Sequence, residues 1–436
     1  MSVQKAIDLL DQIAVWTEQA RLELITQPSE PPKPAVIQSA SELDRALTSA
    51  PDGTRLVLSP TFTYPSPLKL TQLNLTLESA QVVTGRMTKD APAPRFERGI
   101  QVLGNGIHLV GLDLRNSDLT DILAIRGANV AIDRCRLLGD PVKGAKRGIA
   151  ANSDGNCRIT GCYIDDCFGP YPGDDTQAIC AWDMVPGLLI ENCYLSGGSE
   201  TILIGGGDPQ NELRNPKGII IRGNTITKNP NWQSQLIGVK NTLELKNARD
   251  VLIEDNDIES TWGGHGQEGF LLVLTVRNQN GRTPTVTIQD VQIQGNRFRH
   301  AAAAINILGR DTIVEDKPDR DVPVGQRRRS LPMARVRITH NTFEDITPTT
   351  YTGSRKLIQI DGGPSDLVLA ENVFQSTGHT STVYFAGGPP LDRFTFVNNR
   401  VPKTRYGYFG MNTTVNQAFK TYVTSGVTAP NEEGVW

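Results

Sequence analysis

Carboxylates cluster in the middle of this 436-residue sequence, and their spacing suits one kind of bond-breaking chemistry. Hydrolysis of a glycosidic bond uses two carboxyl groups, ~5–5.5 Å apart for retention of configuration and ~6.5–9.5 Å apart for inversion. The loop PGDDTQ supplies the first candidates, and the second lie about one repeat further along the chain. The catalytic candidates for hydrolysis are therefore Asp174 or Asp175 together with Glu200 or Asp208.

Cationic side chains suit a second chemistry, elimination next to a uronate carboxylate. Such a reaction needs a base that removes the proton α to the carboxyl group, and cations that neutralise the carboxylate. Lys246 and Arg277 are the catalytic candidates. Neither set is a specific motif, because Asp-Asp after Gly is a common turn and exposed ion pairs contribute little to stability.

Further residues are candidates for substrate binding. They are Trp182, Asp183, Glu244, Trp262, His265, Arg310 and Asp361. Tryptophans can stack on sugar rings or pack turns against the fold. His265 lies in the glycine-rich loop TWGGHGQEG and could serve in acid–base work, a common role of histidine.

These side chains can act together only if the elements that carry them lie side by side, and a repeat provides this. VLIEDNDI at 251–258 and VRITHNTF at 336–343 share one template: apolar, any, apolar, any, any, Asn, any, apolar. Ten copies of it begin at residues 107, 130, 157, 188, 219, 251, 291, 336, 367 and 394. A repeat of this length predicts a solenoid, and the alternation of apolar residues predicts strands.

The sixth template position predicts how the coils stack. It holds Leu112, Cys135, Cys162, Cys193, Asn224, Asn256, Asn296, Asn341, Asn372 and Asn399. Asparagines at equivalent positions of stacked parallel strands form hydrogen-bonded ladders. We expect the cysteines to be reduced, small buried residues, since their spacing fits no zinc site.

A second strand-like run follows each template copy. These runs lie at 177–182, 201–206, 241–247, 270–278, 304–311, 356–361 and 382–387. Two or three strands per coil predict an all-β fold, a right-handed parallel β-helix. In NTLELKN, Leu243 and Leu245 should point inward and Glu244 and Lys246 outward, so that successive coils stack a charged strip.

The ends of the chain differ from the repeat. Residues 1–27 are predicted to form an amphipathic attachment or oligomerisation helix, which could equally fold back on the open end of the coil. The other predicted segments are a proline-rich linker at 28–35, a cap at 36–60 that begins with a Ser N-cap and a short helix, the β-helix at 61–412 and a cap or tail at 413–436. The charged stretch 312–334 is predicted to be a loop.

Composition excludes several functions. The net charge of −3 offers no footprint for nucleic acid or for a membrane surface. The acidic N-terminal stretch does not resemble a secretory signal, and no apolar run reaches the ~18 residues of a membrane span. No cofactor or metal is expected: Asp174, Asp175, Asp208 and Asp361 could offer oxygen ligands to calcium, but no calcium-loop spacing is present.

The ten copies, the cap and the second strand set resemble the right-handed parallel β-helix repeat family, the pectin-lyase-like superfamily, over about residues 36–412. VKNTLELKNARDVLIEDN, VRNQNGRTP, INILGRD and NTFEDI resemble an uncharacterised bacterial branch, from which no catalytic residues can be transferred. The superfamily includes polysaccharide lyases, glycoside hydrolases and bacteriophage tail spikes, which trimerise and need no signal peptide. The resemblance implies a carbohydrate ligand.

Three functions follow as hypotheses. The first is a homotrimeric spike or appendage on a virion surface, attached through residues 1–34, that binds and in one version cleaves a cell-surface polysaccharide. The second is a free polysaccharide lyase or glycoside hydrolase, extracellular or cytoplasmic in a bacterium. The third is a structural fibre or decoration protein without enzymatic activity.

Overall fold

The computed structural model describes residues 35–410, except residues 117, 236, 312–322, 324 and 387–392. In this part the chain winds into coils of up to three short strands. Equivalent strands of successive coils pair in parallel, which produces three long sheets. We name them sheets A, B and C in the order in which each coil visits them. The predicted right-handed parallel β-helix is confirmed.

The strand bounds show how the repeat maps onto the sheets. In the described residues, sheet A contains Val36–Ile37, Arg55–Leu58, Thr76–Ser79, His108–Val110, Val130–Asp133, Cys157–Thr160, Leu188–Glu191, Lys217–Arg222, Ala248–Glu254, Ile288–Gln294, Ala334–Thr339, Ser365–Ala370 and Phe394–Val397. Sheet B contains Thr63–Tyr64, Arg95–Phe96, Asp113–Asn116, Arg136–Gly139, Tyr163–Cys167, Tyr194–Gly197, Thr225–Thr227, Asp257–Thr261, Arg297–Ala301, Thr342–Ile346 and Val373–Ser376. The template copies thus supply sheet A and the start of sheet B.

Sheet C carries the second strand set that the sequence predicts. Its strands are Leu68–Leu70, Ile100–Val102, Asp121–Ile125, Arg147–Ala151, Gln177–Ala181, Glu200–Ile204, Asn241–Leu245, Phe270–Thr275, Ala303–Leu308, Lys356–Asp361, Ser381–Phe385 and Tyr408–Gly410. Outside the three sheets lie a helix at Ala40–Ser49, 3-10 turns at Glu212–Arg214 and Pro230–Ser234, and a small hairpin of Gly263–Gly264 and Gln267–Glu268.

The start of the predicted cap has the expected local structure. The Ser39 side chain accepts a hydrogen bond from the Glu42 backbone N–H, and the helix Ala40–Ser49 buries Leu43 against the core. The boundaries of the cap at 36–60 and of the β-helix at 61–412 stay predictions. The predicted helix at 1–27, most of the linker at 28–35, the tail at 413–436 and much of the loop at 312–334 lie outside the described residues.

The predicted asparagine ladder is present. Each ladder asparagine donates from Nδ2 to Oδ1 of the ladder residue in the next coil, at 2.9–3.0 Å from Asn224 through to Asn399. The same Nδ2 reaches back to a backbone carbonyl of the previous coil, as Asn296 does to Ile253. The ladder therefore ties three coils together at every step.

The residue before each ladder position, here called the corner residue, adopts a left-handed backbone conformation. Its φ lies between 48° and 66° in every copy of the template. This region is sparsely populated for residues with a Cβ and favours Gly, Asn and Asp. The corner residues are Gly111, Arg134, Gly161, Asn192, Gly223, Asp255, Gly295, His340, Glu371 and Asn398. The template position that looked unrestricted in the sequence therefore has a defined backbone role.

The interior of the coil is a continuous apolar stack. Leu243 and Leu245 belong to it, as the strand alternation predicts, and stacked phenylalanines such as Phe298 and Phe343 fill it further along. The six cysteines are buried and free, as expected. Burial raises the pKa of the Cys135 thiol to about 12, so it packs as a small neutral residue.

Removal of one ladder side chain should weaken the fold. Asn296→Ala leaves buried polar groups of Asn256 and Ile253 without partners, which costs about 2–3 kcal/mol of unfolding free energy. Denaturant unfolding measures the loss. Gln292→Ala, at an exposed position in the same coil, is the control and should change stability by less than about 0.5 kcal/mol. Equal effects of the two substitutions would contradict the role given to the ladder.

Candidate functional site

Charged side chains occur on and beside the outer face of sheet C, but the row that contains Glu244 is apolar in the adjacent coils and does not form the continuous charged strip expected from the sequence. Glu244 and Lys246 lie outside the apolar core that contains their neighbours Leu243 and Leu245. Glu244 pairs in register with Leu203 in the preceding coil and with Val273 in the following one. Polar side chains therefore reach this face at places set by the strand register.

Unequal turn lengths produce a notch around Lys246. In its own coil, only Lys246 and Asn247 connect sheet C to the next strand of sheet A. The coils on either side use long loops, 205–216 and 276–287, for the same connection. These two loops meet where the Asn280 N–H donates to Asp208 Oδ1 at 3.3 Å. We call this site, formed by Asp208, Glu244, Lys246 and Arg277, the sheet-C notch.

Lys246 and Arg277 of the sheet-C notch are both partly exposed, and they occupy neighbouring coils. The Arg277 backbone N–H donates to the Lys246 carbonyl at 2.9 Å, so the two residues follow each other in adjacent coils. Lys246 Nζ lies 3.6 Å from Glu244 Oε1. Arg277 Nη1 lies 3.5 Å from Asp311 Oδ1. Asp208 Oδ2 is buried and has no hydrogen-bond partner in the described part of the chain.

Glu244 is the most perturbed acid of the notch. Its side chain is almost fully buried and accepts hydrogen bonds from Thr275 Oγ1 and Asn241 Nδ2, each at 2.9 Å. Burial raises its pKa to about 7, an effect that the Lys246 ammonium opposes and the Glu200 carboxylate reinforces. A carboxyl group of this kind exchanges its proton near neutral pH.

Two of the predicted hydrolytic carboxylates also lie close together. Lys240 Nζ is 3.0 Å from Asp175 Oδ1 and 3.5 Å from Glu200 Oε1, so one ammonium bridges both groups. Glu200 is fully buried and accepts from Gln177 Nε2 at 2.8 Å, whereas about half of the Asp175 side chain is exposed. Burial alone would raise the pKa of Asp175, but the adjacent Lys240 ammonium lowers it.

Two loops cover Glu200 and explain its burial. The segment 228–240 packs against the segment 169–175, close enough that a Cβ on Gly238 would meet the Pro172 carbonyl at 2.8 Å. Below them, the buried Lys228 Nζ donates to the carbonyls of Gly197, Gly198 and Ser199 at 2.6–3.1 Å. Burial lowers the pKa of Lys228 to about 7.

Lys228 and Lys240 were not among the sequence candidates. Each flanks the loop between sheets B and C in one coil. The strand pattern can place a residue within a strand, but it cannot show how a loop of this length folds over the previous coil. The sequence offered one signal. Lys240 directly precedes the sheet-C strand Asn241–Leu245, just as Ser199 precedes the sheet-C strand that begins at Glu200.

The remaining sequence candidates occupy varied surroundings. Asp174 Oδ2 accepts from the Tyr171 N–H at 2.9 Å within its own turn. Asp183 is buried and pairs with Arg126 at 3.0 Å and Arg214 at 2.8 Å. Both carboxylates therefore already have protein partners, and the roles given to them stay predictions.

The aromatic candidates and His265 differ in how exposed they are. Trp182 is partly exposed, with the guanidinium carbon of Arg147 5.0 Å from its ring centre. Trp262 is buried in an apolar cluster with Phe168 and Trp232. His265 is exposed at the tip of the small hairpin, where it lines a cavity of about 50 Å³. A stacking surface is available only at Trp182 of these two tryptophans.

Two candidates follow the sheet-C strands further along the coil. Arg310 is partly exposed after Ala303–Leu308, and Asp361 Oδ1 accepts from the Gly362 N–H at 2.6 Å.

In the described ranges, no three His, Cys, Asp or Glu side chains are grouped to hold a metal ion. The same ranges include no helix with the length and apolar character needed to cross a bilayer.

Comparison with known proteins gives distant structural similarities. No protein-family model matches the sequence, and no curated protein matches it. A mannuronic-acid-specific family 6 polysaccharide lyase from the human gut microbiota is similar at 15 % identity and a TM-score of 0.43, over 90 % of this chain and 94 % of that one.

Two tailspikes are similar to the same degree. The Dettilon tailspike protein has 14 % identity and a TM-score of 0.47, over 85 % of this chain and 64 % of its own. The tailspike of Escherichia coli bacteriophage HK620, in complex with a pentasaccharide, has 14 % identity and a TM-score of 0.46, over 86 % and 66 %. At such identities none of these proteins assigns a role to a residue of this chain.

The raised pKa of Glu244 predicts a specific pH dependence of stability. A carboxyl group with a pKa near 7 in the folded state and 4.5 in the unfolded state binds more protons when folded. Folding stability from this group is therefore greatest below pH 4.5 and falls as the pH rises to 7, by up to about 3 kcal/mol. Glu244→Gln should remove this slope in denaturant unfolding between pH 4.5 and 7.

A matched carboxylate provides the control. Glu254 lies in the next strand of the same coil, on sheet A. Glu254→Gln should keep the wild-type dependence on pH. If Glu244→Gln and the wild type lose stability in parallel over this range, the proton-binding role of Glu244 is wrong.

Proposed function

We propose that the chain binds an acidic polysaccharide along the outer face of sheet C and cleaves it by β-elimination in the sheet-C notch. The observation that carries the proposal is the position of Lys246. Its amine is partly exposed between two longer loops, 3.6 Å from a carboxyl group that titrates near neutral pH and next to Arg277 in the following coil.

The proposed reaction uses these groups in separate roles. Lys246, after passing an ammonium proton to Glu244, removes the proton at C5 of a uronate, and the electrons of that bond form the C4–C5 double bond. The glycosidic C4–O bond breaks, and the departing oxygen takes the proton that Lys246 removed from C5. Arg277 neutralises the uronate carboxylate, which lowers the energy of the carbanion-like transition state. Glu244 holds the amine in place and can accept its proton.

The polar surroundings support binding of a sugar at this point. Lys246 and Arg277 are partly exposed there and can donate hydrogen bonds to a sugar. Trp182 adds a partly exposed ring on the same face, with Arg147 beside it.

The surroundings of Asp175 and Glu200 favour elimination over hydrolysis. Hydrolysis requires two carboxyl groups that both reach the glycosidic bond. Glu200 is fully buried beneath the covering loops, and Lys240 already bridges it to Asp175. In the sheet-C notch, by contrast, the side chains of Lys246 and Arg277 are both partly exposed.

Substitution of the base tests the proposal. On a panel of uronate polysaccharides, the wild type should generate the ultraviolet absorbance of an unsaturated uronate. Lys246→Met should lower that rate at least ~100-fold, the usual contribution of a general base. Lys246→Arg should lose cleavage and keep binding, because a guanidinium retains the charge but does not give up its proton.

The control is Lys217→Met, which removes a lysine that pairs with Asp250 on sheet A. This variant should retain the wild-type rate. Cleavage by Lys246→Arg at the wild-type rate would contradict the role of the base. New reducing ends without ultraviolet absorbance would indicate hydrolysis, and no product from any glycan would leave this chain as a binding or structural protein.

The attachment part of the first hypothesis is a separate proposal. We infer from the apolar seam of residues 1–27 that this segment joins three chains into a spike on a virion. Light scattering should then give a trimer for the full chain and a monomer after deletion of residues 1–34. A monomer in both cases would contradict the spike and favour a free enzyme.

A further inference from the structure

A second groove lies at the corner where each coil turns from sheet A to sheet B. Its volume is about 530 Å³. Corner residues of five consecutive coils line its floor: Arg134, Gly161, Asn192, Gly223 and Asp255. With ~4.8 Å between coils the groove is ~19 Å long and runs parallel to the axis of the coil. We call it the corner groove.

One wall of the corner groove is built by a segment that leaves its own coil. Residues 80–94 connect the strand Thr76–Ser79 to the strand Arg95–Phe96 and reach several coils ahead. The Met87 N–H donates to the Gly161 carbonyl at 2.7 Å, and Arg86 Nη1 donates to the Cys193 carbonyl at 3.1 Å. Gly85 of this segment lines the groove, and these contacts hold the wall in position.

The opposite wall consists of the residues that end the sheet-A strands. Asp133, Thr160, Glu191 and Arg222 stack there in consecutive coils. No apolar or aromatic side chain is among the residues that line the groove. The corner groove is therefore unsuited to an apolar ligand or to the apolar face of a helix.

Both guanidinium groups of the groove are already paired with carboxylates of the protein. Arg134 Nη2 lies 2.6 Å from Asp133 Oδ2, and Arg222 Nε lies 2.6 Å from Glu191 Oε1. An anionic ligand would have to compete with these carboxylates for the guanidinium groups. Paired guanidinium and carboxylate groups still offer further donors and acceptors, which suits the adjacent hydroxyl groups of a sugar.

We propose that the corner groove is a second glycan-binding site, specific for a neutral oligosaccharide and separate from the cleavage site on sheet C. A polar wall on the sheet-A side, a second wall held by hydrogen bonds, a floor with two glycines and a length of several coils fit a short extended oligosaccharide. Binding at this site does not depend on the activity proposed for sheet C.

Gly223 provides a direct test. Its φ is +64°, and an added Cβ would have no heavy atom within 4 Å, so a side chain there would project into the groove. His340 occupies the same corner position in another coil, which shows that histidine is compatible with this backbone. Gly223→His should therefore fold normally and weaken binding of a neutral tetrasaccharide at least tenfold.

The measurement is saturation-transfer NMR, followed by calorimetric titration, with neutral tetrasaccharides derived from glucan, mannan and galactan. Asn398→His is the matched control, because it places histidine at the same corner position outside the groove, and it should bind like the wild type. A double substitution, Glu191→Gln with Arg222→Gln, should also weaken binding, because it removes the charged donors and acceptors of the wall.

Three results would overturn the proposal. They are no binding of any neutral tetrasaccharide by the wild type, equal binding by wild type and Gly223→His, and binding of acidic in place of neutral oligosaccharides at the groove. Lys246→Arg should bind the neutral ligand like the wild type. A failure of the cleavage proposal would therefore leave this result unchanged.

Discussion

The repeated corner between sheets A and B determines the rest of the structure. At this corner a residue in the left-handed conformation turns the chain, and the next residue, a buried asparagine in six coils, is hydrogen-bonded to the coils above and below. If the register of a strand shifted by one residue, the asparagine side chain would lose its partners. The buried donors and acceptors would then be unsatisfied, which costs free energy. The corner therefore fixes the register of all three sheets.

A fixed register has a direct consequence for the functional sites. Residues at equivalent strand positions are held ~4.8 Å apart in successive coils, so the register determines which side chains are neighbours on each face. Variation is then confined to the turns. A coil with a two-residue turn at Lys246, between coils with long loops, produces the sheet-C notch, and the extended segment 80–94 produces the corner groove.

Much of this architecture could be predicted from the sequence, for a physical reason. A strand buried on one face alternates its residues, and a ladder needs the same residue type in each coil, so both leave a visible pattern. The inward direction of Leu243 and the ladder from Asn224 to Asn399 followed from this. The left-handed corner was missed, because Gly, Asn, Asp, His, Glu and Arg all occur there and the template treated the position as unrestricted.

The sites were less predictable than the fold. Glu244 and Lys246 were identified because they lie within or directly after a sheet-C strand, and the proximity of Asp175 and Glu200 followed from the coil spacing. Lys240 was missed because its place depends on how the loop 229–240 folds over the preceding coil. The burial of Glu200 and Trp262 was equally hidden, since both are covered by residues distant in sequence.

The central claim is that this register presents an acidic glycan to Lys246. A crystal structure of the Lys246→Arg variant with a bound uronate oligosaccharide would test it most directly. The account predicts a sugar chain along the outer face of sheet C, with one uronate carboxylate on Arg277 and its C5 hydrogen facing residue 246. An oligosaccharide bound elsewhere on the coil, or one whose uronate carboxylates avoid Arg277, would contradict it.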